Sequence, residues 1–110
     1  MIQETINQIE AAIQNAKSLD EKQKKELVDL ISTLNTEVLQ LSKTHPEQTR
    51  SITELTEMSI HEAIRREKNE QLLKLSLQRL STSVEGFEGS HPKLVGIVNF
   101  LCLALSNVGI

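Results

Sequence analysis

The sequence is poor in the residues that make tight turns, with four Gly and two Pro among 110 residues. An all-β chain of this length would need many short strands separated by turns, and such turns favour Gly and Pro. A chain of this length is also one domain long, which excludes an enzyme with a separate cofactor lobe. These absences predict a single helical domain over residues 1–110.

Aromatic side chains are almost absent, since the chain has two Phe and neither Tyr nor Trp. Proteins that bind single-stranded nucleic acid stack bases on aromatic rings, and nucleic-acid-binding domains usually carry a basic patch. Here the net charge is −3, and the basic clusters 22–25 and 65–68 are short and flanked by acidic residues. We therefore expect no nucleic-acid partner, and little material for a ligand pocket with an aromatic lining.

Cysteine is limited to Cys102, so no intrachain disulfide framework is possible. Cys102 lies in the apolar stretch 100–105 with no cationic neighbour in sequence, which predicts a buried small hydrophobe rather than a reactive nucleophile. The first residues, Met1 to Glu4, have neither the basic nor the apolar segment of a secretory signal. The expected location is the cytoplasm.

What the chain does have is a hydrophobic pattern that repeats with alternating steps of four and three residues. A mean step of 3.5 is typical of helices that pack along coiled-coil-like seams. The four runs with this spacing are Ile2, Ile6, Ile9, Ile13 and Ala16; Leu27, Ile31, Leu34, Val38 and Leu41; Leu73, Leu77, Leu80, Val84 and Phe87; and Leu94, Val98, Leu101, Leu105 and Val108. The pattern predicts an all-α bundle of about four helices, over about 2–17, 19–43, 46–88 and 91–108.

The predicted helix ends have identifiable chemistry. Residues 18–21 resemble a capping box, in which Ser18 would cap the second helix with Glu21 reaching back. His45 and Pro46 would end that helix and start the next, because proline suits the first helical turn. Gly89 is expected to adopt a left-handed conformation before a last helix capped by Ser90 or His91, and Gly109 with Ile110 would close that helix in a Schellman motif with Leu105.

The long third segment, 46–88, has two interpretations. It could break near 67–70 and fold back as a hairpin, because residues 65–71 contain no apolar side chain. The absence of Pro and Gly from that stretch favours a continuous helix, whose excess length would imply self-association. The expected assembly interface consists of apolar positions from both halves of the segment. They are Leu73, Leu77, Leu80, Val84, Phe87, Ile52, Leu55, Ile60 and Ile64.

No set of residues predicts catalysis or a bound cofactor. His61 and Glu62 begin the zinc-protease pattern H-E-x-x-H, but Arg65 occupies the second ligand position and cannot bind zinc. Glu88 and His91 have the spacing of a metal-binding pair, yet Gly89 and Pro92 place them across a turn. We therefore predict no metal site, no cofactor and no enzyme activity.

The last 17 residues, 94–110, carry no charge. They could form a core helix surrounded by other helices, or a membrane anchor at the C-terminus. A membrane span needs about 20 mostly apolar residues, and this run is interrupted by Gly96, Asn99, Ser106 and Asn107. The interruptions and the regular seam favour the core helix.

The C-terminal third resembles a family of small bacterial helical proteins known only as a domain of unknown function. The resemblance rests on F-E-x-S-H-P-x-L at 87–94 and L-S-N-[MV]-G-I at 105–110, and covers about 27 residues closely. The N-terminal helices agree more loosely, and residues 48–72 make this chain longer than a usual member. The resemblance implies no activity, but it implies a last helix inside a bundle rather than in a membrane.

The sequence thus favours a non-catalytic protein–protein interaction module, expected to form a homo-oligomer, with an unidentified protein as the other candidate partner. One alternative is a membrane-associated protein that uses 94–110. A second is a small metal-dependent helical enzyme that uses His45, His61 and His91 with nearby Glu residues.

Overall fold

In the computed structural model, which describes residues 2–108, the chain forms five α-helices and one short 3₁₀ turn. The helices are α1 (Ile2–Asn15), α2 (Glu21–Leu41), α3 (Pro46–Ile64), α4 (Glu70–Ser83) and α5 (Pro92–Val108), with the 3₁₀ turn at Glu85–Phe87. The all-α prediction is confirmed. The helix count is five rather than about four, because the predicted third helix is divided.

The prediction of a continuous helix over 46–88 is wrong, and the hairpin interpretation is correct. The chain leaves the helical region at Arg65 (φ −58°, ψ 143°), and α4 restarts after Asn69, whose side chain accepts a hydrogen bond from the Leu72 N–H at 3.0 Å. The intervening residues are polar and exposed, so no buried face holds them in a helix. α3 and α4 therefore pack against each other as a helical hairpin.

Tertiary hydrogen bonds hold this α3–α4 loop in place. The Ser18 hydroxyl donates to the Ile64 carbonyl at 3.1 Å, and the Lys68 ammonium donates to the Val108 carbonyl at 2.5 Å. Both acceptors lie at the C-terminal ends of helices, where carbonyls have no partner within the helix. The loop thus joins the end of α3 to the start of α2 and to the end of α5.

The cap of α2 lies two residues after the predicted one. Asp20, not Ser18, is the N-cap: its carboxylate accepts from the Gln23 N–H at 2.8 Å, while the Gln23 side chain accepts from the Asp20 N–H at 3.0 Å. This is a complete capping box, and it leaves Ser18 free for the contact with α3. Glu21 is simply the first residue of the helix.

The sequence predicted the helix starts at Pro46 and Pro92 correctly, but not the conformation of Gly89. Pro46 occupies the first turn of α3, as expected. Gly89 does not adopt the predicted left-handed conformation, since no residue between 2 and 108 has a positive φ. The chain instead passes from α4 to α5 through the 3₁₀ turn. After this turn, the His91 N–H donates a hydrogen bond to the Phe87 carbonyl at 2.7 Å. The predicted Schellman motif at Gly109 and Ile110 lies outside the described residues.

The core consists mainly of the positions that the four-three spacing selected. α1 buries Ile6, Ile9 and Ile13. The buried positions of the other helices include Leu27, Ile31, Leu34, Val38 and Leu41 in α2, Leu73 and Leu80 in α4, and Leu94, Val98, Leu101, Leu105 and Val108 in α5. Among the described residues, α5 contacts α2, α3 and α4, whereas α1 contacts α2 and α3.

α3 contains a fifth run with the same spacing that the sequence pattern did not reveal. Its buried positions are Thr49, Thr53, Thr56, Ile60 and Ala63. Each threonine hydroxyl donates to the carbonyl four residues earlier, at 2.8 to 2.9 Å, so the polar atom is satisfied within the helix. Because its hydroxyl is already hydrogen-bonded, each of these threonines can pack in the core as a small branched side chain. α3 presents this face to its neighbours, which include α1 and α4.

Ser59 lies on the same helix but differs from the threonines, because its buried hydroxyl has no hydrogen-bond partner. A buried polar group without a partner costs about 1–3 kcal/mol. We expect Ser59→Ala to raise the free energy of unfolding by about 1 kcal/mol more than Ser51→Ala does. Ser51 is exposed on the same helix, so it reports the gain in helix propensity alone. Urea unfolding followed by circular dichroism measures both; equal effects would contradict the assignment.

Candidate functional site

The predicted assembly residues lie inside a single chain. Ile52, Ile60, Leu73, Leu80, Val84 and Phe87 are buried in the core, and Leu55, Ile64 and Leu77 are partly buried against it. A second copy of the chain could reach the buried positions only if the bundle opened. Their apolar spacing reflects packing between helices of one chain, and the assembly role predicted for them stays a prediction.

The most exposed large apolar side chains lie on the outer face of α5. Phe100 is 64% exposed and Leu103 is 61% exposed. Gly96 lies one turn before Phe100, and nothing lies within 4 Å of the place where its Cβ would be. After Lys93 the helix has no charged side chain, and its other exposed residues, Asn99, Ser106 and Asn107, are uncharged polar ones. We call Gly96, Phe100 and Leu103 the α5 face.

The uncharged last segment, in α5, does not meet the length and hydropathy requirements of a membrane-spanning helix. No helix within residues 2–108 has the length and the hydropathy needed to cross a bilayer. The inner side of α5 is core, with Leu94, Val98, Leu101 and Leu105 all fully buried. The core-helix interpretation of this segment is therefore the one that the fold supports.

Two histidines and a phenylalanine meet at one end of the bundle. His45 immediately precedes α3 and His91 immediately precedes α5, while Phe87 ends the 3₁₀ turn. The Phe87 ring centroid lies 5.2 Å from that of His45 and 5.5 Å from that of His91, both edge-to-face. The two imidazole centroids are 6.3 Å apart, with planes at 84°. We call these three residues the His–Phe cluster.

Both histidines bond to the hydroxyl of the preceding residue. The Thr44 Oγ1 lies 2.8 Å from the Nδ1 of His45, and the Ser90 Oγ lies 2.9 Å from the Nδ1 of His91. Thr44 Oγ1 also donates to the Leu41 carbonyl at 3.4 Å. A hydroxyl has one proton, so the arrangement that makes both Thr44 contacts hydrogen bonds has the His45 Nδ1–H donating to the hydroxyl.

From the sequence, His91 is a candidate cap and His45 marks a helix boundary, and only the metal-dependent enzyme alternative groups the two, together with His61. The signal that could have paired them is a repeated tripeptide of hydroxyl residue, histidine and proline, at 44–46 and 90–92. The repeat places each histidine before the first turn of a helix, but only the fold shows that these two helix starts are neighbours. Within the described residues, the Nε2 of neither ring has a hydrogen-bond partner in the protein.

The third histidine lies apart from this cluster. His61 is exposed on α3, and its neighbour Glu62 forms an ion pair with Arg65 at 2.9 Å. Arg65 thus occupies the second ligand position of the zinc-protease pattern with an ionic partner of its own. Among residues 2–108, no group of three or more His, Cys, Asp or Glu side chains is placed to hold a metal ion.

Cys102 lies half-buried on α5, as the sequence suggested. Its thiol is 3.7 Å from the Leu77 carbonyl of α4. Burial disfavours the thiolate and raises the pKa of Cys102 from 9.0 to about 11. At neutral pH the side chain is therefore a protonated thiol with little nucleophilic character.

A groove of about 790 Å³ lies where the start of α1 meets the end of α2 and the first half of α3. Its lining mixes apolar and polar side chains, and Arg50 and Glu54 contribute charges of opposite sign. No nucleophile and base face each other there in the pattern that covalent catalysis requires. The groove therefore adds no catalytic arrangement to the features above.

The family match covers most of the features described above. A family described as Domain of unknown function (DUF4404) matches residues 30–110, which is well over half of the chain. The chain belongs to the DUF4404 family. The matched part contains the His–Phe cluster and the α5 face, whereas α1 and the start of α2 precede it. The resemblance predicted from the C-terminal residues is confirmed. No curated protein and no solved structure matches this member of the family.

Proposed function

We propose that this DUF4404 protein is a non-catalytic module that self-associates, as a homodimer, through the α5 face. The observation that carries the proposal is the exposure of Phe100 and Leu103 on a neutral helix surface. Two large apolar side chains on adjacent turns would gain free energy if their surface were removed from water. Covering them requires another molecule, because the inner side of α5 is already packed.

The chemistry of the α5 face favours a second copy of the same chain as the partner. Apart from Lys93 in the first turn of α5, this face has no charge, so it offers little for a charged partner to pair with and can match a second copy of itself. In an antiparallel pair of α5 helices with the two-fold axis near position 98, Phe100 of each copy would lie over Gly96 of the other. The open space at Gly96 suits a ring in that position. A two-fold arrangement of this kind is the commonest closed assembly.

The same pairing gives Leu103 a contact. With the axis near position 98, Leu103 of each copy would meet position 93 of the other, which is Lys93. The aliphatic stem of a lysine can cover an apolar side chain while its ammonium stays in water. This dimer therefore buries both large apolar side chains of the face without burying a charge.

Sedimentation equilibrium tests the proposal. We expect the natural chain to be a dimer at concentrations on the order of tens of micromolar, and the double variant Phe100→Lys with Leu103→Lys to be a monomer. The lysine at 103 would meet Lys93 of the other copy, and the lysine at 100 would replace the apolar contact with Gly96 by a charge. The control double variant, Leu39→Lys with Met58→Lys, adds the same charge at side chains that are 43% and 45% exposed elsewhere. It should remain dimeric. A natural chain that is monomeric in this range would contradict the proposal.

Membrane association is the alternative use of the same face. Surface-bound helices that recognise anionic lipid carry basic residues on their polar side, and α5 has only Lys93. We therefore expect no co-flotation with vesicles of neutral or anionic lipid. Flotation that is lost in the Phe100→Lys and Leu103→Lys double variant would favour the membrane role over the dimer.

A further inference from the structure

The α3–α4 loop does not contain the residues that usually make a chain turn. Residues 47–85 include neither Gly nor Pro, and the Arg, Glu and Lys side chains of the loop favour helix. Even so, the chain leaves the helical region at Arg65, and α4 begins only after Asn69. The side chains of 65–69 are all exposed, so burial does not fix the loop. The turn therefore depends on tertiary contacts rather than on local preference.

The buried positions of α3 and α4 belong to one series that keeps its alternating steps of four and three residues across the loop. Its members are Ile52, Thr56, Ser59, Ala63, Arg66, Glu70, Leu73, Leu77 and Leu80. All of them except Arg66 and Glu70 are buried or partly buried. Such a series lies along one side of a continuous helix. Two helices of a hairpin have no need to share a phase across their loop, whereas one continuous helix does.

We propose that two copies of this chain can exchange α4 and α5, with α3 and α4 joined in each copy into one helix over 46–83. The single chain keeps the hairpin described above. Among the described residues, α4 contacts α3 and α5, while α5 also contacts α2 and α3. After exchange, each copy makes the same contacts with the other copy, which is why exchange of an identical element is a low-cost route to a dimer. Joining the helices also gives partners to the last carbonyls of α3 and the first N–H groups of α4.

The series gives the joined helices a charge match. In an antiparallel pair with the two-fold axis near position 68, Ala63 of each copy would meet Leu73 of the other, and Arg66 would meet Glu70. These two charged residues are also four positions apart in the joined helix, where opposite charges attract. Within the described part of the single chain, neither of them is in an ion pair. The two charges of the series therefore find partners only in the exchanged form.

Three hydrogen bonds favour the closed hairpin. They join Ser18 to Ile64, Lys68 to Val108 and Asn69 to Leu72. Each of them uses an exposed side chain, for which water is an alternative partner. Because exchange needs two copies, the closed chain is favoured at low concentration. To interconvert, α4 and α5 must leave α2 and α3, so we expect the two forms to interchange slowly.

Pulsed electron paramagnetic resonance distinguishes the two forms. Spin labels are attached to Glu54→Cys and Gln78→Cys, both exposed positions, in the full-length chain with Cys102→Ala. The labelled chain is refolded from urea with excess unlabelled natural chain, at total concentrations from about 1 μM to about 1 mM.

In the hairpin the labels stay close, because packed helix axes are about 8–10 Å apart. In the joined helix the two labelled positions are separated by about 36 Å at 1.5 Å per residue. We expect a component near this longer distance that grows with concentration. A short distance alone at every concentration would overturn the proposal.

Charge reversal tests the register of the exchanged form by gel filtration after refolding at high concentration and rapid dilution. Arg66→Glu should lower the dimer's association constant by about tenfold, because like charges would meet within each joined helix and twice between the helices. Arg66→Glu combined with Glu70→Arg should restore it. Lys74→Glu, an equal charge change at an exposed position outside the series, should have no effect. Equal weakening by Arg66→Glu and Lys74→Glu, or no restoration, would overturn the proposal.

Exchange and the α5 face are separate routes to a dimer, and the same measurements tell them apart. Exchange leaves Phe100 and Leu103 exposed, so the double variant Phe100→Lys with Leu103→Lys should still show the long distance between labels. Failure of the α5-face dimer would make the natural chain monomeric at equilibrium without removing that distance. Failure of exchange would remove the distance and leave the equilibrium dimer. Circular dichroism of each variant verifies that the bundle is intact.

Discussion

Leu101→Ala is expected to lower the free energy of unfolding by about 2–5 kcal/mol, the range for truncating a buried leucine. Leu101 has no exposed surface and lies at the centre of α5, the helix that contacts α2, α3 and α4. Truncation removes apolar atoms from the core and leaves a cavity that several helices would have to close together. Because small domains are stable by about 5–15 kcal/mol, the loss is a large share of the total.

The matched control is Leu103→Ala, two residues further along the same helix. Leu103 is 61% exposed, so its truncation should change the stability of the monomer by no more than about 0.5 kcal/mol. Urea unfolding at low protein concentration, where association contributes least, measures both variants. A similar loss at the two positions would mean that the inner and outer faces of α5 are assigned wrongly.

The second large effect is expected in α1, which precedes the part of the chain that the family match covers. Ile9 is 1% exposed and packs with Ile6 and Ile13 against the rest of the core. Ile9→Asp would place a carboxylate without a partner in that apolar contact. We expect a loss of at least about 3 kcal/mol in the free energy of unfolding, as for other unpaired buried charges.

Gln8→Asp is the control for this substitution. It introduces the same carboxylate one residue earlier on the same helix, at an exposed position, and should change stability by no more than about 0.5 kcal/mol. The expected result for Ile9→Asp is a single unfolding transition at lower urea concentration. The contrary result would be a variant that loses only part of its helical signal and keeps the transition midpoint of the natural chain. That result would mean that α1 unfolds independently of the cooperative core.

Much of the fold could be predicted because the spacing of leucine, isoleucine and valine along a helix indicates which side of that helix is buried. The buried members of the four runs lie on the inner sides of α1, α2, α4 and α5 and in the segment between α4 and α5. Their periodicity is a property of single helices and does not depend on which helix packs against which. The same fact explains why positions predicted to join two chains are covered within one chain, and their role in assembly stays a prediction. Periodicity shows that a side chain is covered, and not whether its own chain or another covers it.

The inner face of α3 was missed because threonine is ambiguous in a sequence. Thr49, Thr53 and Thr56 have the spacing of core positions, but a hydroxyl is normally counted as polar. Its burial is possible only when the helix has formed and the carbonyl four residues earlier accepts the proton. Without that face, the front half of 46–88 had a weak pattern, and a hairpin of two well-packed helices was read as one long helix.

By itself, the sequence determined the all-helical class and the inner faces of four helices, since these depend on local spacing, and it also determined membership of the family, which rests on the match over residues 30–110. The tertiary structure alone decided that 46–88 is a hairpin, that α5 leaves Phe100 and Leu103 in water, and that His45 and His91 are neighbours. The physical reason is common to all three. Each depends on which helices lie side by side, and that choice is made by burial and hydrogen bonds between segments far apart in the chain.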